Sequence, residues 1–388
     1  MTKFGFILAL AFLELILYLS DDMYLPALTI IAENLGTTVE MAQYTLSAWY
    51  IGSGLFHIFA AAICEYTGRK RLLISGVIIF IISSAFCTIT ESIYTMILMR
   101  FFQGSSICCI DVAGYGTIHE ENDDKNAAKI ISFISSISIF APIVGPMLGV
   151  ILIEFSHWRM IFCLLSLCGI VGYVLIKHFM KNDGNVAKFS ATKFVKEIKS
   201  PFLLLHNRRF ILLSLTRTML LSSIIIWIVQ SPINILQSHT KWTLAIIQST
   251  VFISFSLGTV VIRKLIDKYK FETLVQFTTL VLVILNGITL LFCKDLILTV
   301  GGVSILFFFA AMPGAPISRM VINSSEMSVN KKTSMFHTIS NVGIGICVMI
   351  VSLIKINTLF QTVFAMLICS ILAQIFYYFS CKLGKGLC

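Results

Sequence analysis

Charge is scarce in this chain. Asp, Glu, Lys and Arg make up 12% of its 388 residues, about half of the roughly 25% that a soluble globular domain carries. Hydrophobic residues make up 57%, and the mean hydropathy is +0.92. Several kinds of chemistry are missing as well. There is no His-rich metal spacing, no nucleophile elbow and no phosphate-binding loop, so a membrane-embedded enzyme finds no catalytic set here. No basic face interleaved with aromatics marks a nucleic-acid site. The eleven cysteines are scattered through apolar stretches without CxxC or Cys/His ligand spacing. They read as small buried hydrophobes, and no metal is expected. No small-residue cleavage site follows the first apolar run, which continues past Pro26 and reads as a retained signal anchor.

What remains is a succession of apolar runs too long for buried core helices. The reading is an all-α membrane protein. Its twelve transmembrane spans run over roughly 4–31, 41–64, 72–90, 94–118, 130–154 and 158–180, then 210–237, 243–262, 273–293, 296–322, 333–354 and 357–380. The intervening loops are short enough only to join antiparallel neighbours. One break differs: 181–209 is polar and basic, and a short surface helix is expected over Phe194–Leu204. The expected organisation is therefore an N-terminal six-helix bundle (1–180), a cytoplasmic basic linker (181–209) and a C-terminal six-helix bundle (210–388), a layout common among transporters. Of the 29 Lys and Arg, about 22 fall in alternate loops and at the termini, so the positive-inside rule puts both termini in the cytoplasm. The net charge of +10 thus reads as topology.

Span one holds the most informative stretch, Glu14-Leu-Ile-Leu-Tyr18-Leu-Ser-Asp21-Asp22-Met-Tyr24-Leu-Pro26. Three carboxylates in one membrane-length segment are costly, at about 2.5–3.5 kcal/mol each at the bilayer centre on the lenient insertion scale. Glu14, Tyr18 and Asp21 stand at i, i+4 and i+7, on one helix face. Intramembrane acids of this kind read as a proton or cation site. Asp21 and Asp22 both remain candidates.

Several short stretches resemble known signatures. Ala61-Ala-Ile-Cys-Glu65-Tyr-Thr-Gly68-Arg69-Lys70-Arg-Leu-Leu73 is similar to the loop between spans two and three of the major facilitator superfamily, with Ala61 and Glu65 where Gly and Asp are usual. Arg100-Phe-Phe-Gln103-Gly104 resembles its span-four motif. Ala141-Pro142-Ile-Val-Gly145-Pro146-Met-Leu-Gly149 resembles the span-five motif of its drug–proton antiporters. Within that superfamily, the Glu14-x3-Tyr18-x3-Asp22-Met pattern and Asp22-Met-Tyr-Leu-Pro26 resemble the twelve-span multidrug facilitators and the bicyclomycin and chloramphenicol resistance exporters. Gly114-Tyr115, Ile228-Val-Gln230-Ser-Pro232 and Arg319 agree with that group.

The resemblance implies that Glu14 and Asp22 handle protons and cationic substrate, with Arg100 nearby. Glu14 or Asp22 is expected to pair with Arg100, which stays charged and needs an anion. Tyr18, Asp21, Gln103 and Tyr115 are further candidates for the proton and substrate site. Among gating candidates, Arg69 beside Glu65 is expected to pair with Glu120 or Glu121, and Gly145 and Pro146 shape a bendable, close-packing helix. Asp111 stands where a small residue such as Gly is expected, and needs a partner. Arg319 in span ten is the first choice, as a bridge between the halves, and Arg217 the second. A lone His57 in span two reads as hydrogen-bonded structure or a proton relay. The expected function is proton-coupled export of small lipophilic or cationic compounds from the bacterial inner membrane. It would be driven by the proton gradient without a cofactor, by a monomer that meets substrate, protons and the lipid bilayer but no nucleic acid. The rivals are a transporter of a defined metabolite (an amino acid, a polyamine or a siderophore) and a non-transporting receptor on the same scaffold.

Overall fold

The computed structural model describes residues 4–182 and 190–385. Among them, twelve helical segments are long and apolar enough to cross a membrane, and no strand is present. Spans one to six are Phe4–Asn34, Val39–Thr67, Arg69–Ile89, Ile93–Glu121, Lys125–Phe155 and Arg159–Phe179. Spans seven to twelve are Arg208–Leu236, Lys241–Leu265, Phe271–Leu291, Leu296–Ile322, Val329–Leu353 and Leu359–Leu383. The chain divides into two compact units, Met1–Ser200 and Pro201–Cys388. Residues 183–189 of the polar linker lie outside the described residues. The short surface helix spans Ala191–Lys199 and runs into a 3₁₀ stretch, Ser200–His206. Its lysines 193, 196 and 199 are exposed, while Phe194 packs edge-on against Tyr66 of span two, with ring centroids 5.9 Å apart.

Local chemistry sets the joints. Gly68, at φ 87°, is the whole connection between spans two and three. A residue with a Cβ is strained in that conformation, so the tight turn depends on glycine. Several spans are broken rather than continuous. Span one is helical over Phe4–Asp22, turns through Met23 and Tyr24, passes a 3₁₀ turn at Leu25–Ala27, and resumes over Leu28–Asn34. Pro26 explains the break: it has no N–H to offer the Asp22 carbonyl, and its ring crowds the preceding turn. Span five breaks at Ile139–Phe140, just before Pro142. Span ten breaks at Ala311–Pro313. Span four contains a wide π turn, Ile110–Gly114.

Within the first unit, spans two and four lie side by side, as do spans three and six. Span one packs on spans five and six. Its centre is buried by Leu10, Leu13, Ile16 and Leu17. In the second unit span seven packs against spans eleven and twelve, and span eight against span ten. The buried polar groups of that unit are mostly neutral. Gln248 donates to Ser231 at 2.5 Å, Asn234 to Thr362 at 2.9 Å and Asn286 to Ser370 at 3.0 Å.

Candidate functional site

All three buried carboxylates of the described residues lie in span one: Glu14, Asp21 and Asp22, at 5%, 8% and 7% exposure. Asp21 and Asp22 are the last residues of its first helical segment. The break at Met23 leaves the carbonyls of that helical end in need of donors. Arg100, fully buried in span four, supplies one: its Nη1 donates to the Ser20 carbonyl at 2.8 Å and to Gln103 Oε1 at 2.6 Å. Its Nη2 meets Asp21 Oδ1 at 3.2 Å, and the guanidinium lies over the Tyr24 ring, 4.4 Å from its centre. Tyr50 of span two donates to the other Asp21 oxygen at 3.0 Å. Gln103 is fixed in turn, donating to Ser84 of span three at 2.8 Å. One guanidinium thus ties spans one and four together, with span three held through Gln103. Removing one member of such a buried pair costs about 3–5 kcal/mol, because the other charge is stranded.

This corrects the pairing expected from the sequence. Arg100 takes Asp21, not Glu14 or Asp22. The helical repeat explains the choice: Asp21 follows Ser20, whose carbonyl Arg100 also holds, whereas Asp22 is turned by about 100° toward span five. There the Asp22 Cβ faces Gly145: a Cβ added at that glycine would lie 2.7 Å from it, and one added at Gly149 would overlap the Met23 carbonyl. The span-five glycines are therefore what let span one lie so close at its break. Among the described residues the Asp22 carboxylate accepts no side-chain hydrogen bond. Pro146 sits inside the same helix.

Glu14 has its own partners. Tyr115 of span four donates to Oε2 at 2.5 Å, and Ser138 of span five donates to Oε1 at 2.8 Å. Glu14 and Asp21 are thus held separately, one turn pair apart, each by two spans. Tyr18, between them in sequence, is 36% exposed.

At the end of span four that carries Glu120, Arg69 donates to Glu120 at 2.6 Å and Lys181 meets Glu121 at 3.2 Å. Glu65 is exposed. Lys70 donates to the Lys177 and Met180 carbonyls at the end of span six, and to Asn182. Asp111 also has a partner within the first unit: His57 Nε2 lies 2.9 Å from its carboxylate. The bridge to Arg319 was expected because Asp111 looked unpartnered, and span two removes that reason. Arg319 is exposed on span ten, and Arg217 lies against Gly314 of the same span.

Sequence reasoning missed Tyr50, Ser138, Ser84 and the Ser20 carbonyl. Tyr50 carried a weak signal, since a tyrosine in an apolar span needs a hydrogen-bond partner when buried. The serines carried none, because serines recur in most of the spans. Among the described residues no group of three or more His, Cys, Asp or Glu could hold a metal ion.

Comparison with known proteins agrees with this architecture. A family model described as Major Facilitator Superfamily matches residues 10–346. The chain is 27% identical over 344 residues to the chloramphenicol resistance protein CraA of Acinetobacter baumannii, covering 84% of this chain and 80% of that protein. It is 24% identical over 331 residues to the multidrug transporter MdfA of Yersinia pestis, covering 83% and 80%. Its fold is similar to that of the nucleoside transporter NupG, with a TM-score of 0.72 at 15% identity over 97% of this chain and 98% of that one. With twelve membrane-length helices and a family model matched over most of its length, the chain belongs to the Major Facilitator Superfamily, as a multi-pass protein of the bacterial inner membrane.

Proposed function

We propose that this protein is a proton-coupled antiporter that exports small lipophilic or cationic compounds by alternating access, acting as a monomer with both termini in the cytoplasm. The observation that carries the reading is the set of three carboxylates buried in span one, one of them paired with a fully buried Arg100. Such groups are too costly in a membrane segment to be kept without a task. The division of labour follows from their contacts. Asp21 balances Arg100 and fixes span one to span four. Glu14, reached by Tyr115 and Ser138, and Asp22, which accepts no side-chain hydrogen bond among the described residues, are the acids that exchange protons as substrate comes and goes. A cationic substrate competes with the proton for these carboxylates, and that competition is the coupling. The resistance and multidrug functions in the names of CraA and MdfA support the same substrate class.

Gly145 and Gly149 let span five lie against the break in span one. They place a pivot beside Asp22, where a change of charge can alter packing. The Arg69–Glu120 and Lys181–Glu121 pairs act as gate contacts that form and part between states.

The test is proton release from purified protein in weakly buffered detergent on adding tetraphenylphosphonium, ethidium, chloramphenicol, an amino acid mixture or a polyamine. It is paired with pH-gradient-driven export of the same compounds from proteoliposomes. The reading expects release and export with several chemically unrelated drugs. Response to one metabolite alone would favour a dedicated metabolite transporter. Proton release without flux would point to a receptor.

A further inference from the structure

We propose that His57 and Asp111 form a second proton-binding site in the first unit, in which one proton is held between imidazole and carboxylate. This deepens the proton-coupled reading by adding a site apart from the span-one acids.

Hydrogen-bond inventory carries the inference. His57 Nδ1 lies 2.7 Å from the Ser53 carbonyl one turn earlier in span two. A carbonyl can only accept, so Nδ1 carries a proton. Nε2 lies 2.9 Å from Asp111 Oδ2. Neutral imidazole has one N–H, and Nδ1 has used it. An Nε2 lone pair facing a bare carboxylate at this distance is repulsive, so a proton stands between them, on nitrogen or on oxygen. The pair as placed therefore holds one proton more than a neutral histidine and an ionised aspartate. The other tautomer, with Nε2–H, needs Nδ1 to accept from the Cys108 thiol 3.1 Å away. It would then set the Nδ1 lone pair against the Ser53 carbonyl at 2.7 Å.

The surroundings suit a site that loads and unloads. The His57 side chain is 3% exposed and that of Asp111 29%, so the carboxylate is the half that water reaches. Asp111 lies in the single π turn among the described residues, and such turns recur where a helix serves a function rather than packing alone. The titratable groups facing the pair are Cys108, Cys109 and Tyr115 from span four and Glu14 from span one. Tyr115 follows Asp111 by one turn and donates to Glu14, so the pair stands one side chain away from the first proton site.

The experiment is nitrogen NMR of histidine-labelled protein in lipid nanodiscs, with His57→Gln identifying the His57 signals. It is read from about pH 5 to pH 10 alongside infrared difference spectra of the carboxyl region. No substrate is added, so the outcome does not depend on the export reading. The expected result is one proton lost from the pair across this range, with Nδ1 protonated throughout. It appears either as loss of the Nε2 proton or as loss of a protonated-carboxyl band that is missing in Asp111→Asn. In Asp111→Asn the amide donates to Nε2, and His57 should stay the neutral Nδ1–H tautomer at every pH. A wild-type spectrum fixed as the Nε2–H tautomer with no such band would overturn the proposal. So would a His57 titration unchanged by Asp111→Asn. If that variant does not fold, the wild-type tautomer alone decides.

Discussion

Replacing Arg100 by lysine keeps the charge and removes the fork. The guanidinium uses two nitrogens in different directions. Nη1 serves the Ser20 carbonyl and Gln103, and Nη2 serves Asp21, while the flat face covers the Tyr24 ring at 4.4 Å. A single ammonium on a shorter stem can point at the Asp21 side or at the Ser20–Gln103 side, but not at both. Losing one hydrogen bond to a charged group costs about 1.5–3 kcal/mol. The weakened contact with the Tyr24 ring costs a further 0.5–2 kcal/mol or so at a desolvated site. The expected loss is therefore about 2–5 kcal/mol, concentrated where span one meets span four. It should appear as a lower apparent melting temperature of the purified Arg100→Lys protein. It should also abolish pH-gradient-driven export in proteoliposomes, because Asp21 no longer holds span one in place beside Glu14 and Asp22. Arg100→Lys with wild-type melting and wild-type export would refute the reasoning. It would mean that charge alone, without the planar geometry, organises the site.

Other outcomes follow from the same contacts. Neutralising Glu14 and Asp22 together (Glu14→Gln with Asp22→Asn) should abolish export driven by a pH gradient, whereas single changes leave partial activity; wild-type flux in the double variant would sink the coupling scheme. Asp21→Asn should cost more in thermal stability than Asp22→Asn, since only the former strands Arg100, and equal melting temperatures would count against that pairing. Gly149→Ala puts a methyl group onto the Met23 carbonyl; overpacking of this kind costs about 1–3 kcal/mol, so lower stability and impaired export are expected, checked by melting and by uptake in everted vesicles. Arg69→Ala should barely change stability, because the Arg69–Glu120 pair is partly exposed and such pairs contribute about 0–1 kcal/mol. A double-mutant cycle with Glu120→Gln that gave several kcal/mol would contradict this.

Much of this was legible in the sequence because membranes leave few options. The apolar runs had to be helices, since lipid offers the backbone no other hydrogen-bond partner. Glu14 and Arg100 stood out because burying charge is expensive wherever the chain goes. Pairing was harder to read. Asp21 and Asp22 are adjacent, so choosing between them for Arg100 required the rotation of span one at its break, and Pro26 shows that a break exists without giving its angle. Asp111 illustrates a second limit. Its need for a partner was evident, but the partner sits 54 positions earlier, and a histidine in an apolar helix does not announce what it faces. The donors to Glu14 and Asp21 are hydroxyls whose relevance comes from position alone.

The Arg100–Asp21 pair also constrains how the protein enters its membrane. Asp21 leaves the ribosome 79 residues ahead of Arg100, which at 5–20 residues per second is a delay of roughly 4–16 s. Through that interval span one carries three acids into or beside the bilayer with no guanidinium to meet them. Tyr50 arrives first, then Arg100, then Tyr115 and Ser138. Span one must therefore wait at the insertion machinery, or rest protonated or partly in water, until span four comes alongside. Insertion of the first bundle is then a collective event, completed only once spans four and five have arrived rather than by each helix in turn.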